Sequence, residues 1–242
     1  MPSAHPPEFR RRATEQEALM AATAAGQPKH PSTEQRPPRG MSGCCPLLVP
    51  YYAVTMIGSA SLPGGVLLRP LDVGDARALL DAYIRSREHL RPFDPVRPDS
   101  FWTLAGQQNG LDEMVQQMKE GRLLACAMLR DGRVLGCATL NTIVLGPSCS
   151  ANLGYWVEPA EVGRGLASAA VAALCQIADQ ELGLHRIQAS TSPSNVASQR
   201  VLVKNGFEQW GTAPKYLHIN GRWQDSCLFQ RILNDRPPSF GS

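Results

Sequence analysis

The chain has 242 residues and a formal net charge of +3, from 24 Lys and Arg against 21 Asp and Glu, which is room for one ordinary domain plus extra sequence or for two small domains. So small a charge gives no warrant for direct nucleic-acid binding, and Arg10-Arg11-Arg12 reads as a solvated charge run. Seven cysteines without a CxxC pair or a His cluster argue against a metal site and a disulfide framework, and the most apolar stretch, Cys44 to Leu62, is broken by Pro46, Pro50 and Gly58 well short of a membrane span.

Nine of the 20 prolines fall in the first fifty residues, so residues 1–63 are expected to form a disordered, Pro-rich extension in which only Glu15 to Ala25 is weakly helical. A single domain is expected over residues 64–234, with a flexible tail over 235–242. Val66 to Pro70 reads as the first strand. Asp72 then caps a helix through about Arg87, with Ala76, Leu79, Leu80, Tyr83 and Ile84 as its apolar stripe. A charged, proline-rich segment from Ser86 to Pro95 ends it. Phe101 to Lys119 is a second helical region, expected to be interrupted between Gly106 and Gly110.

Two apolar runs, Leu123 to Leu129 and Val134 to Leu140, flank Asp131-Gly132 and form a hairpin. A fourth strand near Asn152 to Val157 leads into Val162-Gly163-Arg164-Gly165-Leu166-Ala167 and then a helix from Ser168 to Leu182 that Gly183 ends. Strand, glycine turn and helix in that order point several amides, backed by a helix dipole, into one concavity that suits an anion. An ordinary tight turn is the competing reading for two glycines alone. His185 to Ser190 is the fifth strand, Pro193-Ser194-Asn195 opens a short helix to Lys204, and Phe207 to Ile219 with Trp223 to Ile232 makes a last hairpin at Asn220-Gly221.

This order of elements, with Gly163-Arg164-Gly165-Leu166-Ala167, Asn195 and Lys204-Asn205-Gly206-Phe207, resembles the GNAT superfamily of acetyl-CoA-dependent N-acetyltransferases. Within it, four stretches make the chain most similar to the RimJ/RimL ribosomal-protein N-terminal acetyltransferases: Ser86 to Leu90 followed by Pro92-Phe93-Asp94-Pro95, Leu153-Gly154-Tyr155, Leu184 to Ile187, and Tyr216-Leu217 with Gly221 to Asp225. The resemblance implies a mixed α/β fold with a mostly antiparallel sheet of about seven strands flanked by helices, its fourth and fifth strands splayed. It also implies acetyl-CoA as co-substrate, with its pyrophosphate on the amides of Gly163, Arg164, Gly165, Leu166 and Ala167 and its pantetheine paired with the backbone of Trp156 and Val157.

Two positions depart from the family pattern. Val162 stands where the family carries a Gln or Arg donor, and Leu202 stands where many members carry a tyrosine general acid. The resemblance further implies Ser198 as the hydroxyl donor to the CoA sulfur, against a plain surface serine, and Asn195 as a partner of the pantetheine amide, against a plain helix cap. It places Glu88, His89 and Asp94 on the acceptor groove, Glu88 as first candidate for positioning or proton relay and His89 equally readable as a packing residue. Tyr155 and Tyr216 read as core or groove wall rather than chemistry. Asp225 most simply satisfies donors of the last hairpin.

The expected protein is thus a cytoplasmic N-acetyltransferase, monomer or homodimer, with no metal and no membrane contact. It moves acetyl directly to an amine, foremost the N-terminal Ala or Ser of a ribosomal or similar protein. A small-molecule amine as acceptor, and a non-catalytic acyl-CoA-binding module, are the rival readings.

Overall fold

The computed structural model describes residues 58–238; the expected extension up to residue 57 and the last four residues of the tail lie outside them. The described chain forms β1 (Ala60–Leu62), β2 (Val66–Pro70), α1 (Ala76–Leu90), α2 (Leu104–Lys119), β3 (Leu124–Arg130), β4 (Arg133–Val144), β5 (Ser150–Val157), α3 (Leu166–Gln180), β6 (Arg186–Thr191), α4 (Val196–Lys204), β7 (Glu208–Ile219) and β8 (Arg222–Ile232). The strands make one sheet of eight in the order β1-β2-β3-β4-β5-β6-β8-β7. Every pair is antiparallel except β5 with β6. The strand beyond the expected seven is β1, which pairs Ala60 to Leu62 with Leu68 to Val66 and so carries regular structure into the stretch expected to be extension.

Local chemistry accounts for most of these elements. Asp72 caps a turn of 3-10 helix at Val73–Asp75 before α1: its Oδ1 accepts from the Gly74 amide at 2.7 Å while its own amide donates to Asp75 at 2.9 Å. Arg69 closes on Asp75 through two bonds of 2.8 and 2.7 Å. Burial pushes that carboxyl upward, but the Arg69 and Asp72 donors outweigh it and hold it below the usual carboxylate range. The α1 stripe packs as expected except at Ile84, which lies on the stripe's edge and is exposed.

Helix α2 is continuous, contrary to the expected break between Gly106 and Gly110. Thr103 caps it by accepting from the Gly106 amide at 3.1 Å, and a short 3-10 turn at Asp99–Trp102 lies directly over its first turn. In the hairpin between β3 and β4, Asp131 and Gly132 both take positive φ, 52° and 74°, the combination a two-residue primed turn requires. Asn220-Gly221 repeats it between β7 and β8. Leu124 to Leu129 on β3 are buried at every position, which requires cover on both faces of the sheet: α1 and α2 lie on one face, α3 with α4 on the other.

Two buried carboxylates tie the end of β5 to its surroundings. Glu158, 2% exposed, accepts from Arg85 of α1, with Nε at 2.7 Å, and from Arg133 of the β3–β4 hairpin at 2.6 Å; Arg85 also donates to the Val134 carbonyl at 3.0 Å. Glu161, also buried, accepts from Arg130 at 2.5 Å and lies 3.8 Å from Arg164. Removing one partner of such a network strands the rest, though these arginines retain access to water. Glu158→Ala is therefore expected to lower unfolding stability by about 2 kcal/mol, read as a shifted urea midpoint at unchanged m-value; a midpoint shift equivalent to under about 0.5 kcal/mol would show that the network contributes nothing.

Candidate active site

Between β5 and α3 the chain passes through Val162 to Gly165, and both Gly163 and Gly165 sit at φ +80°. That left-handed backbone is what requires glycine here, because a Cβ at either position would meet no atom within 4 Å. The amides of Gly163, Gly165, Leu166, Ala167 and Ser168 make no backbone hydrogen bond among the described residues. The Arg164 amide, by contrast, turns back to the Glu161 carbonyl at 3.4 Å. Four of the five expected amides are therefore free, with Ser168 added, and they converge at the positive end of a 15-residue helix. Val162 is 48% exposed and offers no donor of its own.

Strand β5 pairs with β6 only at Ser150–Arg186, Ala151–Ile187 and Asn152–Gln188. Beyond Asn152 the two strands part, as the resemblance implied, while β5 stays paired with β4 as far as Val157–Gly136. The Glu158 amide donates to the Leu135 carbonyl at 2.7 Å, and the Thr139 hydroxyl donates to the Gly154 carbonyl at 3.3 Å. Strand alternation then turns the backbone groups of Gly154 and Trp156 toward β4, and those of Leu153, Tyr155 and Val157 toward the gap. Val157 thus faces the gap as expected. Trp156 does not, and Tyr155 takes its place.

Two cavities meet at this gap. The smaller, of about 170 Å³, includes Ser190, Thr191, Asn195, Ser198 and Leu202. The larger, of about 500 Å³, lies under α1 and α2 and has Tyr83, Phe101 and Trp156 among its walls. Phe93, Gly154 and Tyr155 belong to both. Tyr83 packs against Phe101 and Trp156 with ring centroids 4.8 and 4.9 Å apart.

At the junction the Tyr155 hydroxyl lies 2.8 Å from Ser198 Oγ and donates to the Ser198 carbonyl at 3.1 Å. Burial pushes the Tyr155 phenol up to about 12, against a smaller opposing effect from Ser198, so it remains a proton donor across the physiological range. Asn195 caps α4 by accepting from the Ser198 amide at 3.1 Å, which leaves its amide nitrogen for a ligand. Leu202 is fully buried against the same cavity. The phenol beside Ser198 at this junction belongs to Tyr155 of β5.

The expected acceptor residues divide. Asp94 lines the larger cavity, held by Arg97 through bonds of 2.8 and 2.9 Å, with the Arg97 guanidinium 4.7 Å from the Phe101 ring centre. Glu88 does not: its side chain is 76% exposed and lies 3.5 Å from Arg91, and neither it nor His89 lines either cavity, because both fall on the outer side of α1. Tyr216 is absent from both linings, whereas its β7 neighbours Leu217 and Ile219 line the smaller one. Asp225 accepts from the Lys215 amide at 2.8 Å and so serves the β7–β8 hairpin. Arg97, Phe101 and the inner face of α2 went unread in the sequence; the Asp94–Arg97 spacing was the available signal. Cys137 lines the larger cavity, but burial drives its thiol far above the ordinary range, which keeps it protonated rather than nucleophilic.

Comparison with known proteins agrees with this geometry. An acetyltransferase (GNAT) domain model matches residues 66–208. "Probable N-acetyltransferase YjcK" of Bacillus subtilis is 33% identical over 171 residues, covering 70% of this chain and 94% of the relative. The [ribosomal protein uS5]-alanine N-acetyltransferase of Escherichia coli is 31% identical over 166 residues, 68% of this chain and 86% of the relative. Among solved structures, the ribosomal-protein-S5-alanine acetyltransferase of Vibrio fischeri superposes with a TM-score of 0.72 at 28% identity, over 75% of this chain and 100% of that one. Mycobacterium smegmatis RimJ in complex with CoA-disulfide gives 0.68 at 30% identity, over 72% and 86%. The chain belongs to the GNAT family of N-acetyltransferases.

Proposed function

We propose that the enzyme moves acetyl from acetyl-CoA directly to an amine, and that its acceptor is the α-amine of a protein N-terminus beginning with Ala or Ser, ribosomal proteins being the foremost class. The observation that carries this reading is the junction at Gly154 and Tyr155. On one side of it a row of free amides and a splayed strand pair suit a diphosphate joined to an amide-bearing chain. On the other lies an aromatic-walled cavity with a carboxylate. The cytoplasm is the proposed compartment, in keeping with five buried, unpaired cysteines.

Acetyl-CoA supplies an activated acyl group; the C–N bond forms as the C–S bond breaks, the amine loses a proton and the departing thiolate gains one. In this reading the amides of Gly163, Gly165, Leu166, Ala167 and Ser168 hold the phosphates. The edge groups of Leu153, Tyr155 and Val157, with the Asn195 side chain, align the pantetheine. The Ser198 hydroxyl, backed by the Tyr155 phenol, gives the proton at sulfur. An α-amine, with a pKa near 8, asks for only mild assistance in losing its proton, whereas a lysine near 10.4 asks for more. The relatives named for ribosomal-protein alanine acetylation favour the protein N-terminus. The enclosed volume of the larger cavity, about 500 Å³, also suits a small-molecule amine, the competing acceptor. Thiol release with Ala- and Ser-initiated peptides, set against aminoglycosides and polyamines, decides between them: turnover confined to the small amines removes the N-terminal reading.

Two further outcomes are expected. Gly165→Ala forces a side chain onto left-handed backbone and turns the amides away, so calorimetry should show acetyl-CoA binding at least about tenfold weaker; unchanged affinity would mean that the loop does not hold the phosphates. Tyr155→Phe and Ser198→Ala should each lower kcat by roughly tenfold to a hundredfold with a smaller effect on acetyl-CoA affinity, and the double variant should be little worse than either, as befits a unit. Because Tyr155 loses its proton only as pH rises toward about 12, the wild-type kcat profile should show no falling limb from this group below about pH 10; a limb near pH 8 that disappears in Tyr155→Phe would show that burial does not hold the phenol protonated, and an unchanged kcat in Tyr155→Phe would remove its assignment as donor.

A further inference from the structure

Helix α2 contains two glycines within one turn of each other, and they stand there for different reasons. At Gly106 a Cβ would lie 1.9 Å from the Ser100 carbonyl oxygen, so close backbone packing demands glycine. At Gly110 a Cβ would meet nothing within 4 Å, and the backbone is ordinary helix without positive φ. Glycine in such a helix interior is unfavourable relative to alanine, so neither packing nor conformation accounts for it. What Gly110 faces is the larger cavity.

Glu113 follows three residues on, lines the same cavity, and stands on the same side of the helix. It is exposed, and its side chain has neither a hydrogen bond nor an ion pair among the described residues. The cavity's other carboxylate, Asp94, is taken by Arg97. The cavity wall therefore carries one notch and, beside it, one carboxylate without a partner.

We propose that Gly110 and Glu113 form the port by which the amine acceptor reaches the cavity, the notch admitting the acceptor's backbone and the carboxylate drawing in its ammonium group before the proton is lost. This assigns two specificity-determining residues and rests on the acetyl-transfer reading above. A carboxylate at a rim acts chiefly on encounter with a cation, and a missing side chain acts by permitting a chain to pass where any larger residue would obstruct it.

The test uses a conjugate in which the α-nitrogen of an Ala-initiated peptide is joined through an acetyl bridge to the CoA sulfur, so that binding is read by calorimetry without turnover. The wild-type protein should bind the conjugate more tightly than CoA. Gly110→Leu should lose that gain by at least about tenfold while keeping its affinity for CoA and melting roughly 2–4 °C higher from the improved helix propensity. That combination separates an obstructed port from a damaged fold. Glu113→Gln should raise the KM of the free peptide about threefold at low salt with kcat unchanged. A Gly110→Leu protein that gains from the peptide as the wild type does would overturn the proposal, as would a wild type that binds CoA and gains nothing from the peptide. A wild type that does not bind CoA would sink the acetyl-transfer reading, and the port with it.

Discussion

The molecule turns on the place where one parallel strand pair stops. β5 and β6 share three residue pairs and then part, in the middle of a sheet whose other ladders continue. Buried backbone groups left without partners are costly, and an open edge inside a sheet is ordinarily closed by its neighbour. Here each strand is held from its far side: β5 by β4 as far as Val157, and β6 by β8 as far as Thr191. The sheet thereby keeps a row of unsatisfied donors and acceptors at Leu153, Tyr155 and Val157, and the glycine loop adds further unpaired amides just past the end of β5. The buried carboxylates Glu158 and Glu161, bonded to partly exposed arginines from three neighbouring segments, hold the junction between strand and loop in place.

Where the chain dictates its own conformation, the sequence could be read. Asp131-Gly132 and Asn220-Gly221 mark their hairpins because few other residue pairs accept positive φ at both positions. Asn195 announces a helix start by chemistry within three residues, and the structure places the cap there. Features that depend on distant partners were not legible. β1 is three residues long and too short for any periodicity. The continuity of α2 rests on Thr103 and on how tightly the preceding turn sits over Gly106. Glu88 lies within two residues of the end of α1, where a small rotation decides between groove and solvent. The sidedness of Trp156 follows from its register against Cys137 of β4, which no local pattern encodes.

The departures at Val162 and Leu202 have different surroundings in the fold. At the loop, the five free amides of Gly163 and Gly165 to Ser168 remain without a side-chain donor from position 162. At the junction Leu202 is buried, and the Tyr155 hydroxyl lies 2.8 Å from Ser198 Oγ across 43 residues of sequence. A phenol lifted to about 12 by burial is well suited to remain a donor beside sulfur chemistry. On the proposed reading, Tyr155 fills from a different strand the role that many family members give to position 202.

The alternation of β5 carries a consequence for how such an enzyme diversifies. Trp156 presents its ring to the aromatic cavity, whereas Tyr155 reaches the helix that carries Ser198. The two neighbouring rings therefore serve different parts of the site, while Gly154 and Tyr155 line both cavities. On the proposed reading, a smaller side chain at position 156 would reshape the aromatic cavity while leaving the contact between Tyr155 and Ser198 in place.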